Sequence, residues 1–146
     1  MTPFRTWLSR RRYAGVLVFV AFLAACGTVD DNPVSGETLT GIYIVTAAQD
    51  AEGEIVLGEP PSALLETEFS TLRIDAGCND HFGSFTLDDG GAASFTVTGQ
   101  SNQDCDAETE ATDQRVLAAF DQVDTWTIQN DTLTLNGTDV SLTLER

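Results

Sequence analysis

The sequence contains no lysine, only one histidine and no long apolar run. Its 146 residues carry seven arginines against 23 aspartates and glutamates, which gives a net charge of −16. A chain with this surplus of carboxylates repels the phosphates of nucleic acids, so no nucleic-acid partner is expected. The uncharged run at residues 14–25 is 12 residues long. A helix needs about 20 apolar residues to span a bilayer, so this run does not predict a transmembrane segment.

The first 25 residues have the organisation of an export signal instead. Arginines at positions 5 and 10–12 precede the apolar run, and Leu23-Ala24-Ala25-Cys26 forms a lipobox with small residues before its cysteine. We therefore predict a lipoprotein signal peptide over residues 1–25 and lipidation of Cys26, with palmitate-type acyl chains as the membrane anchor. The stretch Ser9-Arg10-Arg11-Arg12-Tyr13 also partly matches a twin-arginine signal, so the export route stays open.

The chain after the signal peptide predicts an acidic domain on a tether. Residues 26–37 are polar, with glycine, proline and aspartate and no periodicity, so they predict an acylated tether, and residues 38–146 predict the folded domain. Residues 26–146 hold three arginines against 23 acidic residues, a net charge of −20. Gly27 is not the aspartate that retains enteric lipoproteins at the inner membrane. The predicted location is the outer membrane in a Gram-negative source, and otherwise the outer face of the cell membrane.

Alternation of apolar and polar residues predicts a β-rich fold. In the C-terminal part, leucines alternate with threonines between Asn-Asp and Asn-Gly turns, which is typical of an antiparallel meander with one buried face. Similar patterns predict eight short strands in all, at residues 42–46, 55–57, 72–74, 85–87, 93–97, 126–128, 133–135 and 140–144.

One segment has a helical period. Val116, Phe120 and Val123 lie at i, i+4 and i+7, and acidic residues precede them where a helix dipole favours carboxylates. We predict a helix over residues 107–123 whose apolar stripe packs against the sheet. The fold class is therefore mainly β, either a small antiparallel β-barrel of lipocalin type or a curled sheet, with one amphipathic helix covering an opening.

The cysteine count predicts a disulfide. Once Cys26 is assigned to the lipid, Cys78 and Cys105 remain, and an even remainder in an exported protein indicates a disulfide bond. A bridge between them would join the end of a strand to the start of the helix.

The stretch around Cys78, AGCNDHFGSF, predicts a turn. Gly77 permits a positive φ and Asn79 tolerates turn conformations. Phe82 and Gly83 complete the predicted motif turn, with Phe82 burying apolar area. We expect His81 to make at most a turn hydrogen bond.

Three chemical alternatives for this stretch have weaker support. A cysteine protease needs a thiolate beside a histidine, but Cys78 and His81 share one short loop and the chain has no second histidine. Zinc could be held by Cys78, His81, Cys105 and either Asp80 or Asp106, but the paired close spacings of zinc sites are missing. Calcium at residues 104–108 lacks a loop glycine and a distal glutamate. We predict no catalytic residue, no metal site and no cofactor.

A family resemblance agrees with the structural interpretation of this stretch. The order Gly77-Cys78-Asn79, then Phe82-Gly83-Ser84-Phe85, then an isolated Cys105, a helix and terminal strands resembles the META domain family, that of the heat-shock lipoprotein HslJ. The resemblance covers about residues 38–146. The chain departs from the family pattern at Ile42-Tyr43, where a tryptophan is frequent, and at Ser101, where a threonine usually precedes the second cysteine.

The resemblance implies a lipocalin-like, β-rich barrel in a surface lipoprotein associated with envelope stress, drug tolerance or motility. It implies no established enzymatic activity. We predict a non-enzymatic binding or scaffolding module with an unknown envelope protein as partner. Two alternatives stay open: a carrier that holds a small apolar ligand in the barrel interior, and an inhibitor that uses the GCN loop against an exported enzyme.

Overall fold

The structure is a computed structural model that describes residues 39–146. In this part of the chain it contains nine β-strands and one α-helix. Their bounds are β1 Gly41–Asp50, β2 Gly53–Glu54, β3 Ser62–Glu66, β4 Thr71–Asp75, β5 Asp80–Leu87, β6 Ala93–Gln100, α1 Ala107–Asp121, β7 Thr125–Gln129, β8 Thr132–Asn136 and β9 Ser141–Glu145. No helix within these residues has the length and apolarity that crossing a membrane requires.

All the strands belong to one antiparallel sheet that curls into a half-barrel. The strand order is β6-β5-β4-β3-β1-β9-β8-β7, and the short β2 pairs with β1. At the two ends of this order, β6 and β7 approach each other only through an isolated bridge between Ala92 and Thr125 and nearby backbone hydrogen bonds. Helix α1 links β6 to β7 and packs on β1, β6 and β9. The predicted fold class, in its curled-sheet form, is confirmed.

The concave face of the sheet and one face of α1 enclose the core. Val116, Ala119 and Phe120 on the helix are fully buried, and the Phe120 ring lies edge-on to Phe95 with 5.4 Å between centroids. Such edge-to-face pairs are favourable because the positive ring edge meets the negative face of its neighbour. In the meander β7–β9 the inward leucines are fully buried: Leu133, Leu135, Leu142 and Leu144.

The helix and the meander match the predictions closely. Helix α1 begins at the predicted residue and ends two residues early, and its stripe packs on the sheet as expected. Asp106 is the N-cap, because its carboxylate accepts hydrogen bonds from the backbone N–H groups of Glu108 and Thr109. The Thr109 N–H is the main cause of the lowered pKa of Asp106.

Two strand predictions were wrong. Ser62–Glu66 forms β3, which was not predicted, because Leu64 and Leu65 in sequence obscure an alternation in which Ala63 and Leu65 point inward. Residues 55–57 are not a strand. The paired residues there are Gly53 and Glu54. Ile55 follows them in a loop, and its side chain is buried in the core. The apolar residues at 55–57 therefore indicated correctly that Ile55 is buried, but they did not indicate a strand.

Candidate functional site

The GCN turn connects β4 to β5 and is tied to the start of α1. Gly77 has φ 104°, a value that glycine adopts without strain, and its N–H donates to the carboxylate of Asp75. Cys78 forms a disulfide with Cys105, with 5.9 Å between their Cα atoms. The bond joins the strand end to the residue just before the Asp106 cap.

Asp113 on α1 is the centre of a buried polar cluster beneath this turn. Its side chain is 4% exposed, and its Oδ1 accepts hydrogen bonds from the backbone N–H of Asn79 at 3.1 Å and that of Cys78 at 3.4 Å. The Nε2 of His81 lies 3.1 and 3.0 Å from its two carboxylate oxygens. A carboxylate only accepts, so Nε2 is the protonated nitrogen of the ring and donates to Asp113.

His81 is itself buried, with 1% of its side chain exposed. It lies on β5 and points into the half-barrel, and its Nδ1 has no hydrogen-bond partner among residues 39–146. The expectation of a marginal turn hydrogen bond was therefore wrong. Sequence reasoning also missed Asp113, although its position three residues before Val116 places it on the apolar stripe of the helix. A carboxylate on a buried stripe is a signal for a buried polar partner.

The Asn79 side chain holds the loop that leads to Cys105. Its Oδ1 accepts from the backbone N–H of Gln103 at 2.9 Å and from the hydroxyl of Ser101 at 3.2 Å. Ser101 in turn accepts from the backbone N–H of Asp80. The GCN tripeptide thus supplies a turn glycine, a disulfide and an amide clamp, all of which fix local backbone.

The chemistry of this cluster is structural in kind. Both thiols are used in the disulfide, so neither a thiolate nucleophile nor a thiolate metal ligand is present at Cys78 or Cys105. Within residues 39–146 no three His, Cys, Asp or Glu side chains are grouped so that they could hold a metal ion.

Two residues of the predicted motif turn lie in a strand. Phe82 and Gly83 belong to β5, and Phe82 is 45% exposed on the outer face of the sheet instead of buried. Gly83 faces inward at a bulge against β6, where a Cβ atom would collide with the backbone oxygen of Thr96. The Phe-Gly-Ser-Phe run therefore alternates across the sheet, with Phe85 as its buried aromatic ring.

Large buried side chains fill the interior of the half-barrel, and clefts open at the surface of the described part of the chain. One cleft of about 420 Å³ lies between the loop after β2, the GCN turn and the start of α1, and Glu59, Asp106 and Glu108 contribute carboxylates to it. A second cleft of about 270 Å³ lies beside Phe85, Leu87 and Trp126. Trp126 is buried and donates its indole N–H to the carbonyl of Asp88.

The outer face of β1, β3, β4 and β5 carries exposed apolar side chains. Ile42 pairs with Leu64, Leu64 with Arg73, and Arg73 with Phe82, so these four side chains project to one face in a line across four strands. Ile44 is the next outward residue on β1. We call these five residues the outer row. Ile42 is 60% exposed and Ile44 41% exposed.

A shallow cleft of about 220 Å³ lies on the outer row. Ile42, Leu64 and Arg73 line it together with Ser62 and Asp75. One signal for this face was present in the sequence: residues 42–45 form an apolar run on a strand. Such a run places apolar side chains on both faces, and the half-barrel covers only one of them.

The arginines of the domain are all paired with carboxylates. Arg73 donates to Asp80 at 2.9–3.0 Å and lies 5.9 Å from the centroid of the Phe82 ring.

The other two arginines make similar pairs elsewhere. Arg115 donates to Asp50 at 2.7 and 2.8 Å, which lowers the pKa of Asp50 and raises that of Arg115. Arg146 pairs with Asp131 at 3.0 Å. The cations of the domain are thus neutralised locally, and the surplus charge at its surface is negative.

The predicted signal peptide, the predicted lipidation site Cys26 and the whole predicted tether at residues 26–37 lie outside the described residues. The structure of residues 39–146 does not test these predictions.

Comparison with known proteins adds the family and the fold. The META domain family model matches residues 45–146. No curated protein sequence matches the chain. A protein from Burkholderia xenovorans, solved by NMR, is 23% identical with a TM-score of 0.63, and the match covers 79% of this chain and 88% of that one. A DUF4847 family protein from Bacteroides vulgatus is 9% identical with a TM-score of 0.56, covering 73% and 92%. At these identities the two structures show a shared fold.

Proposed function

We propose that this chain, which belongs to the META domain family, is a lipid-anchored envelope protein whose domain binds or scaffolds a partner without catalysing a reaction. The family indicates a binding-type module. The anchor at Cys26, the export signal and a role in envelope stress or drug tolerance are the parts of the proposal that come from the sequence and the family resemblance.

The observation that carries the binding proposal is the outer row. Exposed apolar side chains that line up across several strands reduce solubility unless a partner covers them, and such patches commonly mark interaction sites. The three C-terminal strands of the same sheet have threonines at the equivalent outward positions, so an apolar outer face is not required by the fold.

The carrier alternative has less support. An apolar ligand needs a largely enclosed apolar cavity of about 300 Å³ or more. Tyr43, Phe120 and Leu142 are fully buried within the half-barrel, and the cleft of about 420 Å³ beside the GCN turn is open and has three carboxylates in its lining. The cluster around Cys78 also favours a non-catalytic domain, because its thiols are bonded and its histidine is buried.

Site-specific photocrosslinking in the intact envelope tests the proposal. A photoreactive phenylalanine derivative would replace Ile42 on the outer row or, as a matched control, Thr127 on the threonine face, in the full chain expressed with its own signal sequence. We expect a discrete crosslinked product from position 42 and none from position 127. Equal products from both positions, or none from either, would contradict the binding proposal.

The anchor has a separate test. Intact mass of the membrane-bound protein should correspond to a chain that begins at Cys26 and carries a diacylglycerol, and Cys26→Ala should block processing. A soluble mature chain that begins elsewhere would contradict the anchor and leave the crosslinking result unaffected.

A further inference from the structure

Resting on the proposed binding function, we propose that the outer row binds a cationic amphipathic peptide segment, in which lysines or arginines flank a short apolar face. A partner of the outer row must meet two conditions. The first is set by the apolar side chains of the row, and the second by the charges around them.

The apolar condition follows from the shape of the outer row. Four neighbouring strands place Ile42, Leu64 and Phe82 in a line roughly 14 Å wide, because strands lie about 4.8 Å apart. An amphipathic helix of two to three turns presents an apolar stripe of similar length. The cleft beside Ile42 and Leu64 offers about 220 Å³, enough to receive a branched apolar side chain or the stem of a long one.

The charge condition follows from the carboxylates at the edge of the row. Asp75 lines the cleft, and Glu145 lies directly opposite Ile44 in the neighbouring strand. Glu66 lies two residues beyond Leu64 on the same face of β3. The one cation in the row, Arg73, is held by Asp80 in a two-pronged hydrogen bond. A partner therefore meets apolar side chains bordered by negative charge.

This arrangement disfavours two other occupants of the face. A second copy of the chain would bring Asp75 and Glu145 against carboxylates of the same sign, which costs free energy at a close interface. An anionic bilayer would repel a chain whose residues 26–146 carry a net charge of −20. A cationic segment gains from both features, since its apolar face covers the row and its charges meet the carboxylates.

The test measures binding of defined peptides to the mature chain as purified from cells, held in phosphatidylcholine nanodiscs with empty discs as background. The probe is a fluorescent leucine–lysine peptide of about 14 residues with amphipathic helical spacing. Two control peptides keep the length: one has glutamate for every lysine, and one has the same leucines and lysines in scrambled order. We expect saturable binding of the first peptide only, weakened by added salt.

Two double variants test whether the peptide binds at the outer row. The double variant Ile42→Thr with Phe82→Thr should raise the Kd at least about tenfold, because few apolar residues dominate such contacts. The matched control, Val56→Thr with Phe69→Thr, removes two side chains that are 79% and 70% exposed outside the outer row, and it should bind like the parent chain.

Several results would overturn the inference. These are unchanged binding by the outer-row variant, equal binding of the glutamate peptide, or equal binding of the scrambled peptide. Self-association in sedimentation that the outer-row variant abolishes would assign the face to a second copy of the chain. Binding to phosphatidylglycerol vesicles that the same variant abolishes would assign it to a membrane. If position 42 crosslinks a partner in the envelope but the cationic peptide does not bind, the proposed function stands and this inference fails.

Discussion

The strands β7–β9 place leucines inward and threonines outward, whereas the strands around the GCN turn place a histidine inward and a phenylalanine outward. In the meander, Thr127, Thr134 and Thr143 form a hydroxyl row over buried leucines, and short turns suffice to set the register. Around the turn, a disulfide, the Asp113 carboxylate and the Asn79 amide position the backbone. One region is specified by apolar pattern, and the other by a few polar and covalent bonds.

The two regions also differ on their outer faces. Buried leucines dominate the packing of the meander, and its outward residues are polar. The region around the turn has an apolar outer row on the face opposite the core, and its backbone is held by a buried polar cluster, a kind of arrangement that is not needed for stability as such. Because of both features, substitutions around the turn should show most clearly how the two regions differ.

The largest effect is expected from Asp113→Ala. Removing the carboxylate leaves the His81 Nε2–H and the backbone N–H of Asn79 buried without an acceptor, so we expect a loss of about 3–5 kcal/mol in the free energy of unfolding. Gln114→Ala, its exposed neighbour on α1, is the control and should change stability by less than about 0.5 kcal/mol. Urea unfolding monitored by Trp fluorescence measures both. Equal, small losses would show that the cluster does not hold the turn.

Loss of the disulfide should be nearly as large and should affect one region only. Cys78→Ser and Cys105→Ser are each expected to cost about 3.5 kcal/mol from loop entropy, and the double variant about the same, since one bond is lost. Hydrogen exchange should accelerate at the GCN turn and the start of α1 and stay slow in β8. Two titratable thiols at these positions in the denatured, unreduced chain would contradict the bond.

A smaller loss is expected from Gly83→Ala. The new Cβ would press on the backbone oxygen of Thr96, and a backbone atom cannot move aside as a flexible side chain can, so we expect a cost of about 2–3 kcal/mol. Gly99→Ala on the adjacent strand meets nothing within 4 Å and should be neutral. Thermal unfolding of the two variants gives the comparison. A neutral Gly83→Ala would mean that the β5–β6 bulge adjusts freely.

The smallest effect is expected from Asp50→Asn, and it should depend on pH. Arg115 lowers the pKa of Asp50 below its ordinary 3.8, so the pair stabilises the fold above that value and the stabilisation is lost as pH falls through the folded-state pKa. The variant should be less stable than the parent at about pH 7, and the gap should close in acid. Glu52→Gln, 82% exposed beside the same arginine, should show little difference at either pH. A gap that persists in acid would contradict the pairing.

The parts of the fold that could be predicted are those with local causes. The meander and α1 followed from periodicity, and the start of α1 from the acidic residues that precede its apolar stripe. Strand β3 was missed because Leu64 points outward on a face that a predictor assumes to be polar. Asp113 and His81 were missed as partners because they lie 32 residues apart in sequence and meet only when α1 packs against the curled sheet.

The sequence by itself determined the family motif, the mainly β class and the thiol parity that pairs Cys78 with Cys105, because these depend on composition and on neighbours along the chain. The tertiary structure decided which face of each strand is covered. Ile42 and Tyr43 are adjacent and both apolar, yet Tyr43 is fully buried and Ile42 is 60% exposed. Curling of the sheet encloses one face only, and that geometry results from strand order and helix packing that no local pattern encodes.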